Sequence, residues 1–124
     1  MTLPLALVFY EDLIPGSQLV NRLQDSKYRV QVVPKLDELF ESAAHAGPML
    51  IFADLVSKNG DVCAVIRQLR KETSTAHIPV IGFVDDADEA LQTAGRAAGA
   101  TLVVADSVIL THLTQFIQQA LQIE

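Results

Sequence analysis

Carboxylates stand where four apolar runs of this chain stop. Asp54 ends the run in "MLIFADLVSKNGD" (49–61), Glu11 and Asp12 follow "LALVFY" (5–10), Asp85 and Asp86 follow "IPVIGFV" (78–84), and Asp106 follows "ATLVVA" (100–105). Carboxylate oxygens gathered at one place suit a hard divalent cation. Each acid also has a plainer reading. Asp54 could be a turn residue, and Glu11 and Asp12 loop acids ahead of Pro15-Gly16. Asp106 with Ser107 could cap the helix that follows, and "DDADE" (85–89) reads as a solvated helix start whose acids suit the helix dipole. Other chemistries find little support. His45, His77 and His112 lack metal-ligand spacing, and Cys63 reads as a small packed hydrophobe. No Ser-His-Asp, Cys-His or glycine-rich phosphate loop is present, which argues against a hydrolase or nucleotidase.

What brings the acids together is the order of the elements around them. The apolar runs at 5–10, 28–33, 49–53, 78–84 and 100–105 read as strands. Between them, helical spacing recurs. Leu36, Leu39, Phe40 and Ala43 fall at i, i+3, i+4, i+7, as do Val62, Val65, Ile66 and Leu69. Leu19, Val20 and Leu23 mark a first helix opened by Pro15-Gly16-Ser17. Ala87, Ala90, Leu91, Ala94 and Ala98 mark a fourth, and Leu110, Leu113, Ile117, Ala120 and Leu121 a fifth. Pro34 separates strand from helix, "AGP" (46–48) and "AGA" (98–100) close helices, and "NGD" (59–61) caps the third. Strict β-α alternation with short links predicts a doubly wound α/β fold: one five-stranded parallel sheet, helices on both faces. The nearly all-apolar third and fourth runs fit central strands. In such sheets ligands gather beyond the carboxyl ends of the strands, where every one of these acids falls. If Glu11, Asp12, Asp54 and Asp106 converge there, at least one should titrate above its ordinary value unless a cation sits among them.

Size and charge narrow the class. At 124 residues the chain fits a single domain, 1–124, and half its residues are hydrophobic, enough for a core without metals or disulfides. Nine Lys and Arg against fifteen Asp and Glu give a net charge of −6, which disfavours direct binding to nucleic acid or an anionic membrane. No apolar stretch reaches the roughly 18–20 residues of a membrane span. The N-terminus has no secretory pattern, and a lone cysteine suits a reducing cytoplasm.

"IFADL" with Asp54 closing the third strand, "HIPVIGFV" (77–84) and "AAGAT" (97–101) together resemble the receiver domain of two-component response regulators, over essentially the whole chain. The resemblance implies a flavodoxin-like, receiver-type fold and phosphoryl transfer from a histidine kinase to Asp54. It implies an acidic pair near Tyr10-Glu11 or Glu11-Asp12 that helps Asp54 hold Mg2+. It also implies a Thr or Ser after the fourth strand and a Lys after the fifth to contact the phosphoryl group. Here those two positions are Val84 and Asp106, and the aromatic switch position is Val103. The chain thus resembles an atypical receiver, or pseudo-receiver.

An Asp in place of a Lys removes one charge that stabilises a phosphoryl group and adds one that opposes it. At about 4–5 Å and an effective dielectric of ~20, each such interaction is about 3–4 kcal/mol. Lys58, in the loop after Asp54, is a candidate substitute cation. The first expectation is therefore a signalling module, not an enzyme, that binds protein partners (a histidine kinase or a downstream effector). Its segment 87–121, with Gln92 and Arg96 exposed, would dock or form a homodimer. The second is a phosphoacceptor receiver using Asp54 with Mg2+. A flavodoxin-like small-molecule binder ranks last, since the first loop lacks a phosphate-binding glycine pattern.

Overall fold

The computed structural model describes residues 3–11 and 13–122. Five strands, β1 (Leu5–Phe9), β2 (Arg29–Val33), β3 (Leu50–Asp54), β4 (Val80–Val84) and β5 (Leu102–Ala105), alternate with five helices. These are α1 (Leu13–Asp25), α2 (Leu39–Ala46, entered through a 3-10 turn at Leu36–Glu38), α3 (Val62–Lys71), α4 (Glu89–Ala98) and α5 (Leu113–Gln122). The strands form one parallel sheet in the order β2-β1-β3-β4-β5. This is the doubly wound α/β arrangement that the alternation predicts.

Alternation within each strand splits the core into two layers. Leu7, Phe9, Ile51, Ala53, Val80 and Val84 face α2, α3 and α4. Ala6, Val8, Leu50, Phe52, Ile81 and Phe83 face α1 and α5. Because β1, β3 and β4 are covered on both sides, their residues are buried almost without exception. β2, at an edge, buries only Val33 fully.

Punctuation works largely as its chemistry suggests. Asp61 accepts a bond from the Ala64 N–H at 3.3 Å and caps α3. Gly47 (φ 57°) and Gly99 (φ 112°) end α2 and α4 in the left-handed conformation that favours glycine. Three expectations are corrected. Pro15-Gly16-Ser17 lies inside the start of α1, where a proline's missing N–H removes no intrahelical bond. Ala87 precedes α4, whose cap is Asp88 through the Leu91 N–H at 3.0 Å. Asp106 does not cap the last helix: its N–H bonds Val84 O at 2.9 Å and prolongs the β4–β5 ladder, while 106–112 run as turns held down by buried Ile109.

Candidate functional site

At the carboxyl edge of the sheet the chain delivers Tyr10 and Glu11 from β1, Asp54 from β3, Val84 to Asp86 from β4 and Asp106 from β5. Asp54 is the last residue of β3, in register with Phe83 of β4, and only 8% exposed. Its Oδ1 accepts the Val56 N–H at 3.0 Å, the two-residue loop that aspartate forms readily where a strand turns away. The next residue anchors it. Leu55 is buried, its N–H bonds Phe83 O, and its side chain fills the space left by two glycines. A Cβ on Gly82 of β4 or on Gly95 of α4 would come within 2.9 Å of a Leu55 methyl. The only sequence signal for this bridge is a glycine inside an apolar strand, a mark of close approach.

Beside Asp54 the first loop divides its work. Phe9 is in register with Ala53, so Tyr10 is the residue that follows level with Asp54. Its ring lies directly over Gly16 of α1, against the α1/α5 core layer, where a side chain on Gly16 would collide with it. Glu11 turns the other way, onto the β3–α3 loop. Its Oε2 accepts Ser57 Oγ at 2.6 Å and Asn59 Nδ2 at 2.9 Å, and its Oε1 accepts the Lys58 N–H at 2.9 Å. Ser57 Oγ in turn accepts the Asn59 N–H. The Ser57 hydrogen bond first, then those of Lys58 and Asn59 and the Lys58 charge, pull the Glu11 carboxyl below its ordinary range against a smaller effect of burial. Asp12 lies outside the described residues.

Across the rim the sign of the shift reverses. Burial first, then the neighbouring Asp85 and Asp86 carboxylates, raise the Asp106 carboxyl, partly offset by a bond from the Ser107 N–H. Ser107 Oγ donates to Asp86 Oδ2 at 3.2 Å. Val84 is buried in the layer under α3 and α4, and Val103 packs inward, 3.2 Å from where a Cβ on Gly95 would stand. Among the described residues the acids expected to form one cup fall into two groups. Glu11 is tied to the β3–α3 loop, Asp85, Asp86 and Asp106 crowd the β4–β5 end, and Asp54 lies between. The raised carboxyl is that of Asp106, through burial first and then Asp85 and Asp86.

Of the three candidate Mg2+ ligands, the described residues are Glu11 and Asp54. Both oxygens of Glu11 are occupied by protein donors, and the residue level with Asp54 on β1 is an aromatic ring turned away. Among the described residues no three His, Cys, Asp or Glu side chains group as metal ligands.

No protein-family model and no curated protein matches the chain. Solved structures do. A chain from Chloroflexus aurantiacus described as a response regulator superposes with a TM-score of 0.89 at 18% identity, over 97% of this chain and 98% of that one. This is a receiver fold. The receiver domain of the sensor histidine kinase PA1611 from Pseudomonas aeruginosa, with magnesium in its active-site cleft, gives 0.87 at 18% over 97% and 98%. Chemotaxis protein CheY4 of Vibrio cholerae gives 0.84 at 17% over 96% and 99%. The receiver strand order and the strand-end position of Asp54 are thus common ground between sequence pattern and structure. The Glu11 loop tie, the Tyr10 ring over Gly16 and the Leu55 bridge are not legible in the pattern, because each joins residues distant along the chain.

Proposed function

We propose that residues 1–124 act as one atypical receiver domain in signal transduction, working mainly by binding protein partners, with impaired phosphoryl chemistry. The observation that carries this reading is Asp106. Where a receiver would present a cation to the phosphoryl group, this rim presents a carboxylate already raised by burial and by Asp85 and Asp86. A further anion at Asp54 would meet repulsion instead of a clamp. Val84 adds no hydroxyl, and Glu11 is committed to the β3–α3 loop. Lys58 contributes charge to Glu11, and this supports a structural use of that cation.

The Glu11 tie and the Leu55 bridge hold the β3–α3 loop and α4 in one arrangement without a phosphoryl signal, as a constitutive docking surface requires. The face at 87–121 is the candidate surface for a histidine kinase, an effector or a second copy. Arg96 is exposed on it, as expected from sequence, whereas Gln92 is half-buried and donates back to Asp85 O and Asp86 O. No described helix is long and apolar enough to cross a membrane. A cytoplasmic setting, with no direct contact to nucleic acid, accords with the charge of −6.

The test is incubation with acetyl phosphate, and separately with beryllium fluoride, in Mg2+. No mass shift and no change in the amide NMR spectrum is the expected result. A mass shift that disappears in Asp54→Asn would instead establish the second reading, a phosphoacceptor with Mg2+. That reading draws support from the strand-end burial of Asp54.

A further inference from the structure

At the opposite pole of the sheet, where β4 and β5 begin, a cleft of about 760 Å3 opens between the end of α3, the 76–79 segment and the last turn of α5. Arg70, from the last turn of α3, reaches into it half-buried. Its Nε donates to Gly99 O at 2.7 Å, its Nη1 to Ala76 O and Ile78 O at 2.8 Å each, and its Nη2 to Thr101 Oγ1 at 2.8 Å. Every partner is neutral. Among the described residues no carboxylate pairs with Arg70, the ion pair present being Arg67–Asp61. Burial alone lowers its pKa.

The donors outnumber the acceptors. A guanidinium has five N–H groups and four are used, so one Nη2 hydrogen remains. Thr101 Oγ1 accepts both Arg70 Nη2 and the Val80 N–H (3.1 Å), which fills its lone pairs. Its own hydrogen has no acceptor among the described residues. The carbonyls of Ala76, Ile78 and Gly99 already receive Arg70. His77 lines the same cleft and brings another ring nitrogen. Pro79, Ala100 and Leu121 form an apolar wall next to these donors. A half-buried positive charge, two spare hydrogens and an apolar wall define a ligand with an anionic, acceptor-only head and a short hydrocarbon tail.

We propose that this cleft binds a small aliphatic carboxylate, its head on Arg70 and Thr101 and its tail against Pro79, Ala100 and Leu121. The site lies at the far end of the sheet from Asp54, so it is independent of any phosphoryl chemistry. It is also local: a chain of net charge −6 repels anions on average, so binding must come from these donors.

The intact chain, labelled with 15N, is titrated with sodium butyrate and with sodium acetate against sodium chloride at matched ionic strength. Saturable shifts are expected at the Arg70 Nε–H and at the Gly99, Ala100 and Thr101 amides, with butyrate binding more tightly than acetate. Arg70 also holds the fold together, so the decisive variant is Leu121→Glu. It leaves the Arg70 bonds intact, places a like charge at the wall, and should weaken butyrate about tenfold or more. Unsaturable shifts scattered over surface Lys and Arg, equal affinity for acetate and butyrate, or unchanged affinity in Leu121→Glu would each overturn the proposal.

Discussion

Placing a cation at position 106 isolates the effect of charge in the rim. β3 and β5 are separated by β4, strands stand about 4.8 Å apart, and Asp54 is level through Phe83 with Val104, two residues before Asp106, so the backbones of Asp54 and Asp106 lie roughly 11–12 Å from each other. That is longer than the 4–5 Å assumed from sequence. At about 9 Å and an effective dielectric of ~40 for this open edge, one unit-charge interaction is about 0.9 kcal/mol. Asp106→Asn removes one such repulsion and should strengthen binding of a phosphoryl mimic about fivefold. Asp106→Lys also adds an attraction, a swing of about 1.8 kcal/mol, or roughly twentyfold. Initial slopes of beryllium fluoride titrations in Mg2+, followed by 19F NMR, give the ratios even where wild type does not saturate. The steps should be about equal on a logarithmic scale and should shrink between 0.01 and 0.15 M salt, as the Debye length falls from about 30 to about 8 Å. If Asn and Lys both match wild type, charge at 106 is not what limits the site, and the reasoning fails in favour of Tyr10 and Val84.

Three further outcomes follow from the same geometry. Asp106 has its carboxyl raised on folding, so its favourable contribution exists only while protonated and is lost as pH rises through the folded value. Asp106→Asn should therefore be the more stable protein in urea at pH 7, by less than about 1 kcal/mol given the solvent exposure, with the gain vanishing below the ordinary value of 3.8. Glu11 is lowered on folding, so its tie to the loop is present at neutral pH and is released as acid protonates it. Hydrogen exchange should show less protection at the Lys58 amide in Glu11→Gln at pH 7; equal protection would mean the tie does not hold the loop. Leu55→Ala should cost about 3–5 kcal/mol in urea unfolding, because the flanking Gly82 and Gly95 have no side chains to collapse into the gap. Adding Gly95→Ala to that variant should recover part of the loss, and a cost under about 1 kcal/mol would remove the bridge from the account.

Much of the scaffold was legible because it depends on short-range periodicity. Alternating β and α runs, the left-handed glycines at 47 and 99 and the Asp61 cap are local features, and they place Asp54 at a strand end by topology alone. The start of the last helix departs from its pattern for an equally local reason. "ADS" has the composition of a cap, but a backbone bond from Asp106 to Val84 spends the residue on the sheet instead. Nothing in the residues around 106 reveals that competition.

The sequence by itself determined the β-α alternation and the kinds of residue at its rim: acids at 11, 54, 85, 86 and 106, with Val84 and Asp106 at the positions where the resemblance implies a hydroxyl and a lysine. Only the tertiary structure decided which of those acids meet. Glu11 is drawn 46–48 residues along the chain to Ser57, Lys58 and Asn59, and Asp106 is pressed toward Asp85 and Asp86. Side-chain direction at a strand end is set by hydrogen-bond partners and packing from other elements, and those partners become neighbours only once the sheet has closed.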